Sequence, residues 1–253
     1  MNAERHTLKP LPRLLLALTS LMLVGTLEAA PLKILIYGGT GNIGQRIVAE
    51  ALQRGDTVTV IARYPERAPL PAADRLRVAA GDVLDAQGAA RALQGQDVVI
   101  SALDGGRGND SEGADFLLRA TQLLVNAERA LGAKAPRLLV VGGAGTLEVQ
   151  PGATVLDQMR ARAGGTLDAA FGPLQQKQVL DYLRTVSDVP WSYLSPSMTI
   201  EPGMRTGKFR LGGDQLLTDA SGMSHISMED YAVALLDEAE HPVHLHKRFT
   251  VGY

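Results

Sequence analysis

A chain of 253 residues, 45% of them hydrophobic, is long enough to bury the core of one full α/β domain. Its 25 basic and 27 acidic residues are interspersed and leave a formal net charge of -2, so no basic stripe marks a nucleic-acid partner. The absence of cysteine excludes disulfides, thiolate catalysis and cysteine-ligated metals, and leaves the compartment open.

Residues 1–30 have the order of a secretory signal. Arg5, Lys9 and Arg13 come first, the apolar run LLLALTSLMLVG follows from Leu14 to Gly25, and TLEAA closes the segment. The run is shorter than the ~20 residues that span a bilayer comfortably, so cleavage is expected rather than a stable membrane span. Neither Leu27-Glu28-Ala29 nor Glu28-Ala29-Ala30 is a clean small-x-small triplet, and no Arg-Arg pair indicates export of a folded protein. The expectation is a Sec-type leader and an exported or periplasmic domain. The alternative is translation from Met22, which leaves a short tail and a cytoplasmic protein.

The body, residues 31–253, alternates strand and helix signals. LKILIYGG is a short apolar run that breaks at glycine, a first strand. From Asn42, the residues Ile43, Ile47, Val48, Ala51 and Leu52 recur at helical spacing until Gly55. TVTVIAR is the second strand, RLRVAAGDV contains the third, and DVVISAL is the fourth. A helix over Asp115–Leu131 leads to the fifth strand, PRLLVVGG. Another helix, about Leu174 to Val186, precedes the strand WSYLS, and the terminal RFTVGY reads as an edge strand. Strands alternating with helical runs predict an α/β, doubly wound parallel sheet.

Between the first strand and first helix, Gly38, Gly41 and Gly44 form G-x-x-G-x-x-G. The first permits the tight turn, the second lets backbone approach a pyrophosphate, and the third lets helix pack on strand. Thr40, Asn42 and Ile43 belong to the same loop, whose free N–H groups and positive dipole end suit phosphates. An NAD site places a carboxylate at the end of the second strand. Here Ala62-Arg63 stands there, with no acid before Glu66. A guanidinium grips a 2′-phosphate with paired hydrogen bonds, so NADP(H) is preferred over NAD(H).

The strings YGGTGNIG, GDV (Gly81–Val83), VVGGAG (Val140–Gly145), WSYLSPS (Trp191–Ser197), EPGMRTGKFRLGGDQLL (Glu201–Leu217) and ISMEDYAVALLDE (Ile226–Glu238) resemble the atypical short-chain dehydrogenase/reductase superfamily. More narrowly they are similar to its NAD(P)H-binding branch, which includes biliverdin reductase B-like flavin reductases and NmrA-like regulators. That resemblance implies a Rossmann fold with a small C-terminal substrate-side region. It puts Asp82 and Val83 near the adenine, and Ser101, Ala102 and Leu103 on the nicotinamide side.

Many members of the superfamily use Ser with Tyr-x-x-x-Lys, tyrosine transferring the proton and lysine holding the nicotinamide ribose. Here Pro173 stands four residues before Lys177, and Gly142–Gly145 occupies the usual serine position. Lys177 remains a candidate to hold the ribose, and His225 a candidate proton donor near neutral pH. Two readings follow: an NADPH-dependent reductase of an unidentified small molecule, with water or another side chain giving the proton, or a non-catalytic NADP(H) sensor of the NmrA type. Nucleotide-sugar epimerase chemistry loses ground without the tyrosine. The histidines of HPVHLH lack an accompanying acid in the sequence and read as a surface turn, with no metal site expected. The long connections 146–172 and 201–225 are the expected substrate-side loops.

Overall fold

A computed structural model describes residues 30–105, 113–168 and 171–253; the expected leader, residues 1–30, lies outside the described residues except for Ala30. The first half of the chain runs β1 (Lys33–Tyr37), α1 (Asn42–Gln53), β2 (Thr57–Ala62), β3 (Leu76–Ala80), α2 (Ala86–Ala92), β4 (Val98–Ser101), α3 (Phe116–Leu131) and β5 (Arg137–Val141). The second half runs β6 (Glu148–Gln150), β7 (Ala153–Thr154), α4 (Val155–Arg162), α5 (Gly172–Leu183), β8 (Trp191–Ser195), β9 (Thr199–Glu201), β10 (Arg210–Gly212), β11 (His225–Ser227), α6 (Met228–Glu240) and β12 (Lys247–Gly252).

The main sheet has 8 strands in the order β10-β12-β8-β5-β4-β1-β2-β3. All neighbours are parallel except β10, which pairs antiparallel with β12 through Leu211 and Val251. RFTVGY is therefore an interior strand rather than the expected edge. The three residues Arg210–Gly212 cover its outer side, and so short a segment carries no strand signal of its own.

Period-two alternation sorts each strand between two cores. Ile34, Ile36, Val58 and Val60 face α1 and α6, packing with Ile47, Tyr231 and Leu235. Leu35, Tyr37, Val99 and Leu138 face the other layer, with Leu124 of α3 and Leu180 of α5. The large buried polar rings are matched: Tyr231 donates its hydroxyl to the Leu194 carbonyl at 2.7 Å, and the Trp191 indole donates to the Val186 carbonyl at 2.9 Å. Strand order reverses beside β1, whose neighbours are β2 and β4. The crevice at such a switch point is where open α/β sheets hold ligands.

The connection 146–172 contains the β6–β7 pair and α4, whose start is fixed by a capping box between Thr154 and Asp157. The polar sequence VLDQMRAR gave little helical periodicity to read.

A candidate dinucleotide site at the switch point

The glycines explain the geometry of the loop after β1. Gly38 has φ +81°, and a Cβ there would lie 2.2 Å from the Ala102 carbonyl oxygen. A Cβ on Gly44 would lie 2.1 Å from the Gly38 carbonyl oxygen, so α1 packs directly on the turn. Gly41 differs: a Cβ there would meet only the Gly38 carbonyl oxygen, at 3.4 Å, and its outer side is open. It is the N-cap of α1, with no side-chain cap and no acidic residue in the first turn. The N–H groups of this helix end thus face outward with the dipole behind them, as an anion requires.

A cleft of about 230 Å³ opens beside this loop and is lined by Gly38, Thr40, Gly41, Arg63, Asp82, Val83, Ala102 and Leu103. These eight positions come from four separate strand ends, and each was expected from the sequence. Asn42, Ile43, Gly44 and Ser101 do not line the cleft. The Asn42 carbonyl accepts from Arg46 at 3.1 Å, Ile43 packs on the first core, and buried Ser101 pairs in register with Tyr37. Asp82 also accepts from the Leu84 N–H at 2.9 Å, a local turn that fixes the loop after β3.

The cleft has walls that sequence reasoning missed: Tyr37, Ile61, Leu84, Asp104 and Phe116. Tyr37 directly precedes the glycine loop and Asp104 follows Leu103, which is the available signal. Phe116 comes from the start of α3, a placement only the tertiary fold reveals.

The two catalytic candidates are elsewhere. Lys177 is half exposed on α5 and forms an ion pair with Asp181 one turn on; it does not line the cleft. His225 lines a separate groove with Glu201, Met204 and Tyr253, its Nδ1 3.7 Å from an Asp219 carboxylate oxygen and its ring 5.0 Å from that of Tyr253. Behind the Gly142 turn lies fully buried Tyr193. Its hydroxyl donates to the Gln176 side chain at 2.8 Å and accepts from the Gly143 N–H at 3.1 Å. Burial holds this phenol well above its ordinary pKa, so it stays protonated and structural.

The substrate-side strings are joined to one another. Asp230 of α6 accepts from the N–H groups of Thr206 and Gly207, each at 2.8 Å, and Glu229 accepts from the Gly203 N–H at 2.7 Å. Arg205 reaches across to Glu50 of α1 with two bonds of 2.6 and 2.8 Å. Further along, Asp214 and Leu216 pair by backbone with Glu148, so the segments 146–172 and 201–225 meet. Arg248 secures that junction: its buried guanidinium binds the Asp214 carboxylate, and it donates to the Thr146 carbonyl at 3.4 Å and the Ser195 hydroxyl at 3.4 Å. The HPVHLH turn does have an acid, Glu238, which accepts from His244 Nδ1 at 2.8 Å and from Ser192 at 2.8 Å. Among the described residues no group of acidic and histidine side chains is arranged to hold a metal.

A parallel sheet with a glycine turn, an uncapped helix start and a crevice at the strand-order reversal defines a Rossmann-type dinucleotide-binding protein. The NAD(P)H-binding family model matches residues 38–242, and the chain belongs to that family, within the short-chain dehydrogenase/reductase superfamily. It is 34% identical over 233 residues to the protein YwnB of Bacillus subtilis strain 168, covering 87% of this chain and 98% of that one. A solved structure of a candidate exported protein from Burkholderia pseudomallei is 40% identical, with a TM-score of 0.72 over 88% of this chain and 100% of the other. A candidate NADH-flavin reductase from Streptococcus pneumoniae is 30% identical, with a TM-score of 0.71 over 87% of this chain and 99% of the other.

Proposed function

We propose that the protein is an NADPH-dependent reductase of a small organic molecule. The observation that carries the reading is the convergence of Gly38, Gly41, Arg63, Asp82 and Leu103 on one cleft. The start of α1 would hold the pyrophosphate, Arg63 the 2′-phosphate, Asp82 and Val83 the adenine side, and Ala102 and Leu103 the nicotinamide side. When bound, NADPH supplies the hydride; the chain's part is to orient it against the acceptor. With Tyr193 buried and Lys177 paired outside the cleft, water is the proton source in this reading. The test is steady-state oxidation of NADPH and of NADH with FMN as acceptor, a choice prompted by the Streptococcus relative. Sustained acceptor-dependent turnover, faster with NADPH, supports the reading.

One observation favours a second reading, an NADP(H) sensor of the NmrA type. The Tyr-x-x-x-Lys pair is missing, and Lys177 is committed to Asp181. Tight nucleotide binding without turnover on any acceptor would select it.

We further propose that residues 1–30 direct export, a reading supported by their basic-apolar-small order and by the name of the Burkholderia relative. Export and an NADPH site pull against each other, because a chain threaded unfolded through a membrane arrives without nucleotide. Native mass spectrometry of the protein from its own cells reports both. A chain starting near Ala30 with no nucleotide supports export; one starting at Met1 or Met22 with bound NADP supports a cytoplasmic enzyme or sensor.

A further inference from the structure

A second chamber, about 460 Å³, lies against the Asp82 end of the cleft and shares Tyr37, Ile61, Gly81 and Asp82 with it. Arg77 enters this chamber from β3 and Arg91 from the end of α2. Among the described residues Arg77 has no ion-pair partner, and Arg91 has only Asp85, at 4.0 Å. The neighbouring carboxylates have local duties: Asp82 closes the turn to Leu84, and Asp85 caps α2 through the Gln87 N–H at 3.1 Å.

The third feature is Tyr37. Tyr37 is 2% exposed, but its hydroxyl oxygen is not sealed from solvent: it makes no hydrogen bond to protein among the described residues and opens onto the space that Tyr37 lines. Its pKa is pushed up to about 12, first by burial and then by Asp85 and Asp82, so the group remains an O–H donor. The Tyr37 hydroxyl and two solvent-exposed guanidinium groups, that of Arg91 68% exposed, put their donors on one space and suit an acceptor-rich, negatively charged ligand.

We propose that this chamber binds the phosphate or carboxylate group of a small organic anion, and that its occupancy alters nucleotide affinity through the shared wall at Tyr37. Coupling of this kind is reciprocal, so bound nucleotide changes anion affinity by the same factor.

Thermal-shift titrations test it, using inorganic phosphate and, separately, acetate, each against potassium chloride at matched ionic strength. The protein is preloaded with NADP⁺, so that the glycine loop is not the phosphate site. The expected result is a saturable rise in Tm with at least one probe. Its midpoint should move up about tenfold or more in the Arg77→Ala/Arg91→Ala variant, and about threefold to tenfold in Tyr37→Phe. A stronger response to phosphate points to a phosphate ester, and a stronger response to acetate to a carboxylic acid. No saturable rise with either probe overturns the proposal. So does a rise that the double variant retains unchanged, or a midpoint that NADP⁺ leaves unmoved. If NADP⁺ itself does not bind, the comparison of wild type and double variant without nucleotide makes the same decision.

Discussion

Gly38 and Ala102 are in such close contact that no side chain fits between them: a Cβ on Gly38 would stand 2.2 Å from the Ala102 carbonyl oxygen, at a φ of +81°. Gly38→Ala should therefore lower folding stability by about 2–4 kcal/mol, combining left-handed backbone strain with overpacking. Gly41→Ala is the contrasting variant, since φ is -76° there and the outer side is open. It should change stability by less than about 1 kcal/mol while weakening nucleotide binding about tenfold. Denaturant melts and nucleotide fluorescence titrations measure both. Equal stability losses in the two variants would sink the division of labour.

Arg63 stands at the cleft where an NAD site would carry a carboxylate. Arg63→Ala should weaken NADPH binding about 10- to 100-fold and leave NADH binding within about threefold, as loss of a charge-assisted pair to one phosphate predicts. Isothermal titration with the two nucleotides gives the ratio. A parallel loss for both would mean that Arg63 does not read the 2′-phosphate.

Glu128 is 1% exposed on α3, and neither carboxyl oxygen has a hydrogen-bond partner among the described residues. Burial pushes its pKa from the ordinary 4.5 up to about 9. Between those values the folded protein keeps a proton that the unfolded chain releases, so stability falls as pH rises through the window. Glu128→Met should flatten that slope and raise stability at about pH 8 by about 3 kcal/mol. Chemical melts across the range decide the point; the same slope in both proteins would show that this carboxyl is ionised in the fold.

The guanidinium of Arg248 ties Asp214 to Thr146 and Ser195. Arg248→Met should cost about 1–3 kcal/mol and speed hydrogen exchange in residues 146–150 and 214–217 together. Faster exchange in only one of the two segments would show that they open independently.

Much of this architecture was legible locally. The strands from LKILIY to WSYLS carry short apolar runs bounded by turn residues, and the glycine spacing needs only its place between strand and helix. What was illegible depends on distant chain. β10 is a strand only because β12 offers it a partner. Tyr37 and Phe116 meet at the cleft from β1 and α3, a juxtaposition with no sequence spacing. Lys177 was singled out because PLQQK stands where the superfamily's Tyr-x-x-x-Lys would, but that spacing does not say which way a helix face turns; the Asp181 ion pair does.

The backbone pairing of Glu148 with Asp214 and Leu216 makes the connections 146–172 and 201–225 a single inheritable cassette. Grafting one of them from a relative would strand the donors and acceptors of the other, along with the Arg248 guanidinium. Exchange of acceptor range among such proteins should therefore succeed when both connections travel together with the residue at position 248, and stall when either moves alone.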